Sequence, residues 1–130
     1  MAFSHSVIGD NTMENREHLG KIGAKLAEGM SIDYKYLYVY VAFSGEYCYY
    51  SHNDRQPPRH VINCIGNPQL FKAVSAMRND SDYLQWFTND KCDEWLLCKK
   101  ENYQDFVKLN VHVNFYKATL AELQAHFQRV

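Results

Sequence analysis

The chain has 130 residues, a formal net charge of -1 and a hydrophobic share of 46%. A chain of this length buries about two-thirds of its unfolded surface, so it can fold without a disulfide or a metal ion. The hydrophobic share argues against a disordered chain. The near-neutral charge lacks the strong basic field of a general nucleic-acid binder, so we do not expect direct nucleic-acid binding.

The charges are unevenly distributed along the chain. Residues 35–78 contain five basic and two acidic side chains, whereas residues 80–105 contain seven acidic and three basic ones. We therefore expect a dipolar molecule whose second half supplies an acidic surface. Such a surface would suit a larger protein partner that is itself basic and binds nucleic acid.

Neither a secretory signal nor a membrane span is expected. The first residues lack a basic stretch followed by an apolar segment, and no apolar run reaches the roughly 18 residues of a span. The four cysteines are expected to be reduced, because a chain that can build a core does not need bridges. These features predict a cytoplasmic protein. The cysteines are Cys48, Cys64, Cys92 and Cys98.

The N-terminal part predicts an arm and a helix. Residues 1–10 carry little pattern, so we expect a loose N-terminal arm, followed by a single α+β domain over residues 11–130. Asn11 and Glu14 have the spacing of a helix N-cap. Apolar residues then recur at helical spacing and predict an amphipathic helix that continues to Met30. These residues are Leu19, Ile22, Leu26 and Met30.

The next segment predicts a hairpin with two chemically different faces. Tyrosines alternate with aliphatic residues from Tyr34 to Phe43, as in a half-buried strand. Ser44-Gly45 predicts a two-residue turn that places Phe43 opposite Glu46. In that register the tyrosines of both strands share one face, named here the tyrosine face. Its predicted members are Tyr36, Tyr38, Tyr40, Tyr47 and Tyr49.

The remaining elements complete an α+β pattern. A polar loop over residues 51–59 contains a Pro-Pro pair, and a third strand is predicted over residues 60–65. A second helix starts at Asn67-Pro68, and a last helix starts at the capping box formed by Thr119 and Glu122. A short helical turn around Trp86 and strands over residues 93–98 and 109–115 lie between them. The predicted order, α-β-β-β-α-β-β-α, favours a mainly antiparallel sheet of four to five strands with three main helices packed on it.

The cysteines and histidines predict neither a metal site nor a catalytic site. Cys48 and His52 together with His60 and Cys64 supply possible zinc ligands. If the loop between them closes a hairpin, however, the two cysteine–histidine pairs lie about 13 Å apart, too far for one tetrahedral ion. No nucleophile motif surrounds either cysteine, so we predict no catalytic residue, no metal and no cofactor.

Two functions remain open. The tyrosine face and the acidic residues Asp90, Asp93 and Glu94 favour a small protein-binding module, such as an inhibitor, immunity or accessory protein. The alternative is a small enzyme or a nucleotide- or small-ligand-binding domain that uses the tyrosine face with Arg55 and Arg59. An exposed tyrosine sheet would also suit a symmetric homodimer. A helix of the same chain covering the tyrosines would instead make them part of the core.

Overall fold

The computed structural model describes residues 6–53, 61–78, 80–107 and 114–128. The α+β class is confirmed, with four helices and two sheets among these residues, one helix more than expected. In chain order the elements are β1 Ser6–Asp10, α1 Met13–Lys21, β2 Lys25–Leu26, β3 Tyr36–Val41, β4 Tyr47–His52, β5 Val61–Asn63, α2 Pro68–Ser75, β6 Trp86–Thr88, β7 Trp95–Leu97, α3 Tyr103–Phe106, β8 Tyr116–Lys117 and α4 Leu120–Phe127.

The strands form two sheets instead of the single, mainly antiparallel sheet that was expected. The larger sheet has the order β2-β4-β3-β1-β5, and the smaller one has the order β7-β6-β8. β3 pairs antiparallel with β1 and β4, but β5 pairs parallel with β1 and β2 pairs parallel with β4. The larger sheet is therefore mixed, whereas the smaller one is antiparallel throughout.

The expected N-terminal arm is wrong for the part that the structure describes. Residues 6–10 form β1, an inner strand that pairs with β3 on one side and β5 on the other. Val7 and Ile8 are fully buried there. Two apolar side chains are too few to show a period, so the sequence pattern does not reveal this strand.

The first helix is shorter than its apolar spacing predicted. It begins after Thr12, whose side chain accepts a hydrogen bond from the Asn15 amide, and not at Asn11. It ends because Gly23 adopts a left-handed conformation with φ of 82°. The amides of Gly23 and Ala24 bond back to the carbonyls of Gly20 and Leu19, which is a Schellman termination. The segment that follows pairs with β4 as β2 instead of continuing the helix to Met30.

The hairpin of β3 and β4 has a different turn from the one predicted. Its loop has three residues, with Gly45 at φ of 90° and hydrogen bonds joining Ala42 to both Gly45 and Glu46. Val41 therefore lies opposite Tyr47, and Tyr38 lies opposite Tyr50. This register differs by one residue from the expected one. A shift of one residue moves every side chain of a strand to the other face of the sheet.

Later elements are confirmed in part. The predicted turn around Trp86 is strand β6, and the strand predicted over residues 93–98 is present as β7. Most of the strand predicted over residues 109–115 lies outside the described residues. The caps of α2 and α4 are confirmed, since Asn67 accepts from the Leu70 amide and Thr119 forms a capping box with Glu122. None of the described helices is long and apolar enough to cross a membrane.

The main core lies between the larger sheet and three helices. Val7, Leu37 and Val39 project from the sheet toward Leu19 of α1, Phe71 of α2 and Leu123 of α4. All six are at most 2% exposed. A smaller cluster joins Phe87 of β6 to Tyr103 of α3, whose rings stack at 3.8 Å. The helices α1, α2 and α4 thus cover the face of the larger sheet that carries Val39.

Close contact between α2 and β1 requires a glycine. A Cβ atom on Gly9 would lie 2.3 Å from Cδ1 of Phe71, a separation that forces one of the two groups to move. Phe71 is fully buried, so its ring has little space to yield. The helix can therefore pack on the sheet at this point only because residue 9 has no side chain.

We expect Gly9→Ala to destabilise the protein by about 1 to 3 kcal/mol through overpacking against Phe71. Gly20→Ala is the matched control, because Gly20 is exposed on α1 and nothing lies within 4 Å of its added Cβ. That control should raise stability by about 0.5 to 1 kcal/mol, the helix-propensity difference. Urea unfolding of both variants tests the contact, and equal effects of the two substitutions would contradict it.

Candidate functional site

The tyrosine face predicted from the sequence is divided between the two faces of the sheet. Tyr47 and Tyr49 lie on the core face. Tyr47 is 7% exposed and donates a hydrogen bond from its hydroxyl to the Met77 carbonyl at 3.1 Å. The other three remain on the opposite face, where Tyr38 stacks on Tyr50 at 5.3 Å. Sequence reasoning missed Tyr50 because the assumed register placed it on the other side. The three that remain are Tyr36, Tyr38 and Tyr40.

The structure describes only some of the charged residues that were predicted to bind a partner. The three acidic residues Asp90, Asp93 and Glu94 are exposed in the connection between β6 and β7. They line a shallow depression together with Asn89, Lys91, Asn114 and Phe115, so that one lysine lies among the three carboxylates. Arg55 and Arg59 lie outside the described residues. The acidic cluster therefore forms a surface separate from the tyrosines.

Cys48 and Cys64, one cysteine from each predicted pair, are not brought together. β5 lies at the opposite side of the sheet from β4, beside β1, so Cys64 does not face Cys48 as the assumed hairpin would require. Burial raises the pKa of the Cys64 thiol to about 12. His60 lies outside the described residues. Within the ranges described, no three acidic, histidine or cysteine side chains are grouped so as to hold a metal ion.

A cleft opens where α1, α2 and α4 meet the smaller sheet. Its volume is about 560 Å³, within the roughly 300 to 1,000 Å³ typical of small-molecule sites. Apolar side chains from the smaller sheet and α4 line it, and charged side chains from α1 and α2 surround them. The lining residues are Glu14, Glu17, His18, Lys21, Gln69, Lys72, Leu84, Trp86, Leu97, His126 and Phe127.

Two polar contacts hold the helices around the cleft. Asn67 caps α2 through its side-chain oxygen, and its Nδ2 donates to the carbonyl of Phe127 at 2.7 Å, which joins the start of α2 to the end of α4. Lys72 of α2 forms an ion pair with Glu14 of α1 across the cleft. The local caps that define the helices therefore also fix the walls of the cleft.

His18 is the buried titratable group of the cleft. Its Nε2 lies 3.1 Å from the Ser75 hydroxyl, which donates its own proton to the Phe71 carbonyl at 2.6 Å. Nε2–H of His18 is consequently the donor in this pair. Burial, reinforced by the positive charge of Lys72, lowers the pKa of His18 to about 4. The side chain is therefore neutral at physiological pH.

Backbone strain is concentrated beside this cleft. Among the described residues, Leu84 and Cys92 are the two non-glycine residues with positive φ, at 61° and 53°. Leu84 lines the cleft, and Cys92 lines a smaller pocket of about 260 Å³ that shares His126 with it. Hydrogen bonds from the Leu84 amide to the Cys98 carbonyl and from the Gln85 amide to the Asp82 carbonyl hold the strained turn. Strain of this kind, maintained by surrounding bonds, is characteristic of functional sites.

The smaller pocket carries a thiol that is held in its neutral form. Cys92 Sγ donates to a Glu122 carboxylate oxygen at 3.3 Å, and the Tyr116 hydroxyl donates to the same oxygen. The hydrogen bond to Glu122 raises the pKa of Cys92. His126 stacks on Trp95 at 4.1 Å and forms the wall between the two cavities. Because the thiolate is disfavoured, this cluster provides packing and no activated nucleophile.

Sequence reasoning did not find the cleft, although one signal was present. His18 follows Asn15 and precedes Ile22 at helical spacing, so it lies on the buried side of α1. A histidine on an apolar stripe is a recognisable candidate. Trp86 and Leu97 were recognised as apolar, but their position beside α1 depends on the packing of the two sheets.

The chain was compared with protein-family models, with curated proteins and with solved structures, and none of the three comparisons gives a match.

We expect the buried neutral His18 to make the protein less stable in acid. Its folded pKa of about 4 lies below its ordinary value of 6.5, so the unfolded chain binds more protons between these values. Stability should fall by about 3 kcal/mol as the pH drops from 6.5 to 4 and should not recover below that. Urea unfolding of wild type and His18→Gln across this range measures the difference. Parallel pH profiles would contradict a buried neutral His18.

We expect glycine to be better tolerated than alanine at position 84. Both Leu84→Gly and Leu84→Ala remove the side chain, but only glycine relieves the positive φ. Leu84→Gly should therefore be more stable than Leu84→Ala by about 1 kcal/mol. At Leu97, a strand residue that also lines the cleft, the order of the two substitutions should be reversed. Thermal unfolding of the four variants measures these differences in stability. The same order of glycine and alanine at both positions would contradict the prediction.

Proposed function

We propose that this protein is a small-ligand-binding domain whose site is the cleft between α1, α2, α4 and the smaller sheet. The observation that carries the proposal is the combination of an aromatic floor with a charged rim in one concave site. Trp86 and Phe127 supply the floor, with ring centroids 5.5 Å apart. Lys21 and Glu17 belong to the rim. Ligand sites commonly combine apolar and aromatic side chains with polar groups that fix the orientation of the ligand.

Binding without chemical conversion fits the side chains of the site. Ser75, next to His18, is fully buried and donates its proton to a backbone carbonyl, so it cannot attack a ligand in the cleft. The neighbouring Cys92 is held as a thiol. Nucleophilic catalysis requires an accessible nucleophile next to a base, and the described residues of the cleft include no such pair. We therefore infer a binding function in preference to the enzyme alternative.

We expect planar aromatic fragments to raise the melting temperature of the protein. Phe127→Leu should weaken their binding about three- to tenfold, which is the contribution of one aromatic contact. Phe43→Leu is the matched control. Phe43 is fully exposed at the tip of the β3–β4 hairpin and far along the chain from every cleft residue. Binding is measured by thermal shift and by ligand-observed NMR. No stabilisation by any fragment, or equal losses in the two variants, would overturn the proposal.

Docking on a larger protein is the second candidate function, and the acidic surface is the observation that favours it. Asp90, Asp93 and Glu94 are all exposed in one connection, next to the half-buried Phe115. Negative charge beside an aromatic ring suits a basic protein surface. An inhibitor, immunity or accessory role would follow from such docking. Tyr36 and Tyr40, which are partly exposed on β3 of the larger sheet, form a second candidate surface that is separate from the acidic one.

We expect a basic partner to be retained by wild-type protein and lost by a variant in which Asp90, Asp93 and Glu94 are changed to Asn, Asn and Gln. A second variant, Tyr36→Ser with Tyr40→Ser, tests the tyrosines without touching Tyr38 or Tyr49, which are packed inside the fold. Affinity capture from host lysate, repeated at rising salt, is the measurement. Retention of the same partner by both variants would show that neither the acidic surface nor the tyrosines form its binding site.

A further inference from the structure

We propose that the ligand of the cleft is an aromatic zwitterion of amino-acid size, that is, a planar ring carrying both a carboxylate and an ammonium group. This inference depends on the proposed function and specifies the chemistry of the same site. Three features carry it: the aromatic floor, an oppositely charged pair of side chains on the rim that forms no ion pair with another described residue, and the equal numbers of lysines and glutamates among the described lining residues.

The floor selects a flat ring. Trp86 and Phe127 are inclined at 59° to each other, and His126 meets Phe127 edge-on at 80°. Tilted and edge-on rings present both faces and edges to a neighbour, the arrangement in which aromatic groups attract one another. Leu84 and Leu97 complete the apolar lining. A purely polar ligand would leave this surface without a partner.

The rim selects two opposite charges. Glu14 and Lys72 already pair with each other across the cleft. Glu17 and Lys21, by contrast, form no ion pair with any described side chain. They lie one turn apart on α1, with Cβ atoms about 5 to 6 Å apart, and both are exposed. Glu17 can accept from a ligand ammonium while Lys21 donates to a ligand carboxylate.

The charge balance disfavours a nucleotide. The described lining residues include two lysines and two glutamates, and His18 is neutral. A polyphosphate would meet the carboxylates of Glu14 and Glu17 with no excess of positive charge to offset them. A ligand with one positive and one negative group meets a complementary partner for each. The described charges of the cleft therefore favour a zwitterion over a polyphosphate.

The test uses four probes of the same ring: L-tryptophan, indole-3-propionate, tryptamine and indole, titrated by calorimetry. Tryptophan should bind most tightly and indole most weakly. Lys21→Gln should weaken the binding of tryptophan and of indole-3-propionate by up to about fivefold, the range of an exposed ion pair. It should leave the affinity for tryptamine unchanged. Glu17→Gln should weaken the binding of tryptophan and of tryptamine and should leave the affinity for indole-3-propionate unchanged.

The controls are Lys25→Gln and Glu28→Gln, which remove the same charges from exposed positions that do not line the cleft. They should leave all four affinities unchanged. If indole binds as tightly as tryptophan, or if the cleft variants and the controls act alike, the zwitterion inference is overturned while the ligand-binding function stands. If planar fragments that depend on Phe127 bind but none of the four probes does, the inference again fails alone. If no aromatic compound binds, both fail.

Discussion

Contact between Phe71 and the backbone of Gly9 is the constraint on which the rest of the structure depends. It seats α2 directly on β1, the strand that pairs antiparallel with β3 and parallel with β5. From α2, Ser75 reaches His18 of α1, and Asn67 reaches the end of α4. A helix displaced from the sheet by even one methyl group would move both partners. Because packed interiors have little free space, such a shift cannot be absorbed locally.

The register of the β3–β4 hairpin determines which tyrosines can take part in binding. Gly45 in a left-handed conformation closes a three-residue loop, and the resulting register sends Tyr47 and Tyr49 to the core. There Tyr47 contributes to stability, with its hydroxyl bonded to the Met77 carbonyl and Arg78 placed 5.0 Å from its ring centroid. Tyrosine content alone therefore does not define an interface, because the same residue type serves both faces of this sheet.

The cleft combines features that cost stability with features that can bind a ligand. Burial of His18, with its depressed pKa, destabilises the fold in acid, Leu84 with its positive φ destabilises it at any pH, and both line the same cavity. Residues selected for stability alone would avoid either choice. Their coincidence with an aromatic floor and with the charges of Glu17 and Lys21 gives the site its chemical character. The acidic surface near Asp90 is a separate feature and can serve a partner independently.

The sequence by itself determined the α+β class, the starts of α2 and α4, and the alternation of tyrosines with aliphatic residues in β3. These features depend on residues within a few positions of one another, such as Asn67 with Leu70 and Thr119 with Glu122. Only the tertiary structure decided the place of β1, the parallel pairing of β5 and the existence of the cleft. Each of these results from contacts between distant parts of the chain, as where Val7 pairs with Ile62. Strand order and register are set by which surfaces the whole chain can bury together, and no local pattern contains that information.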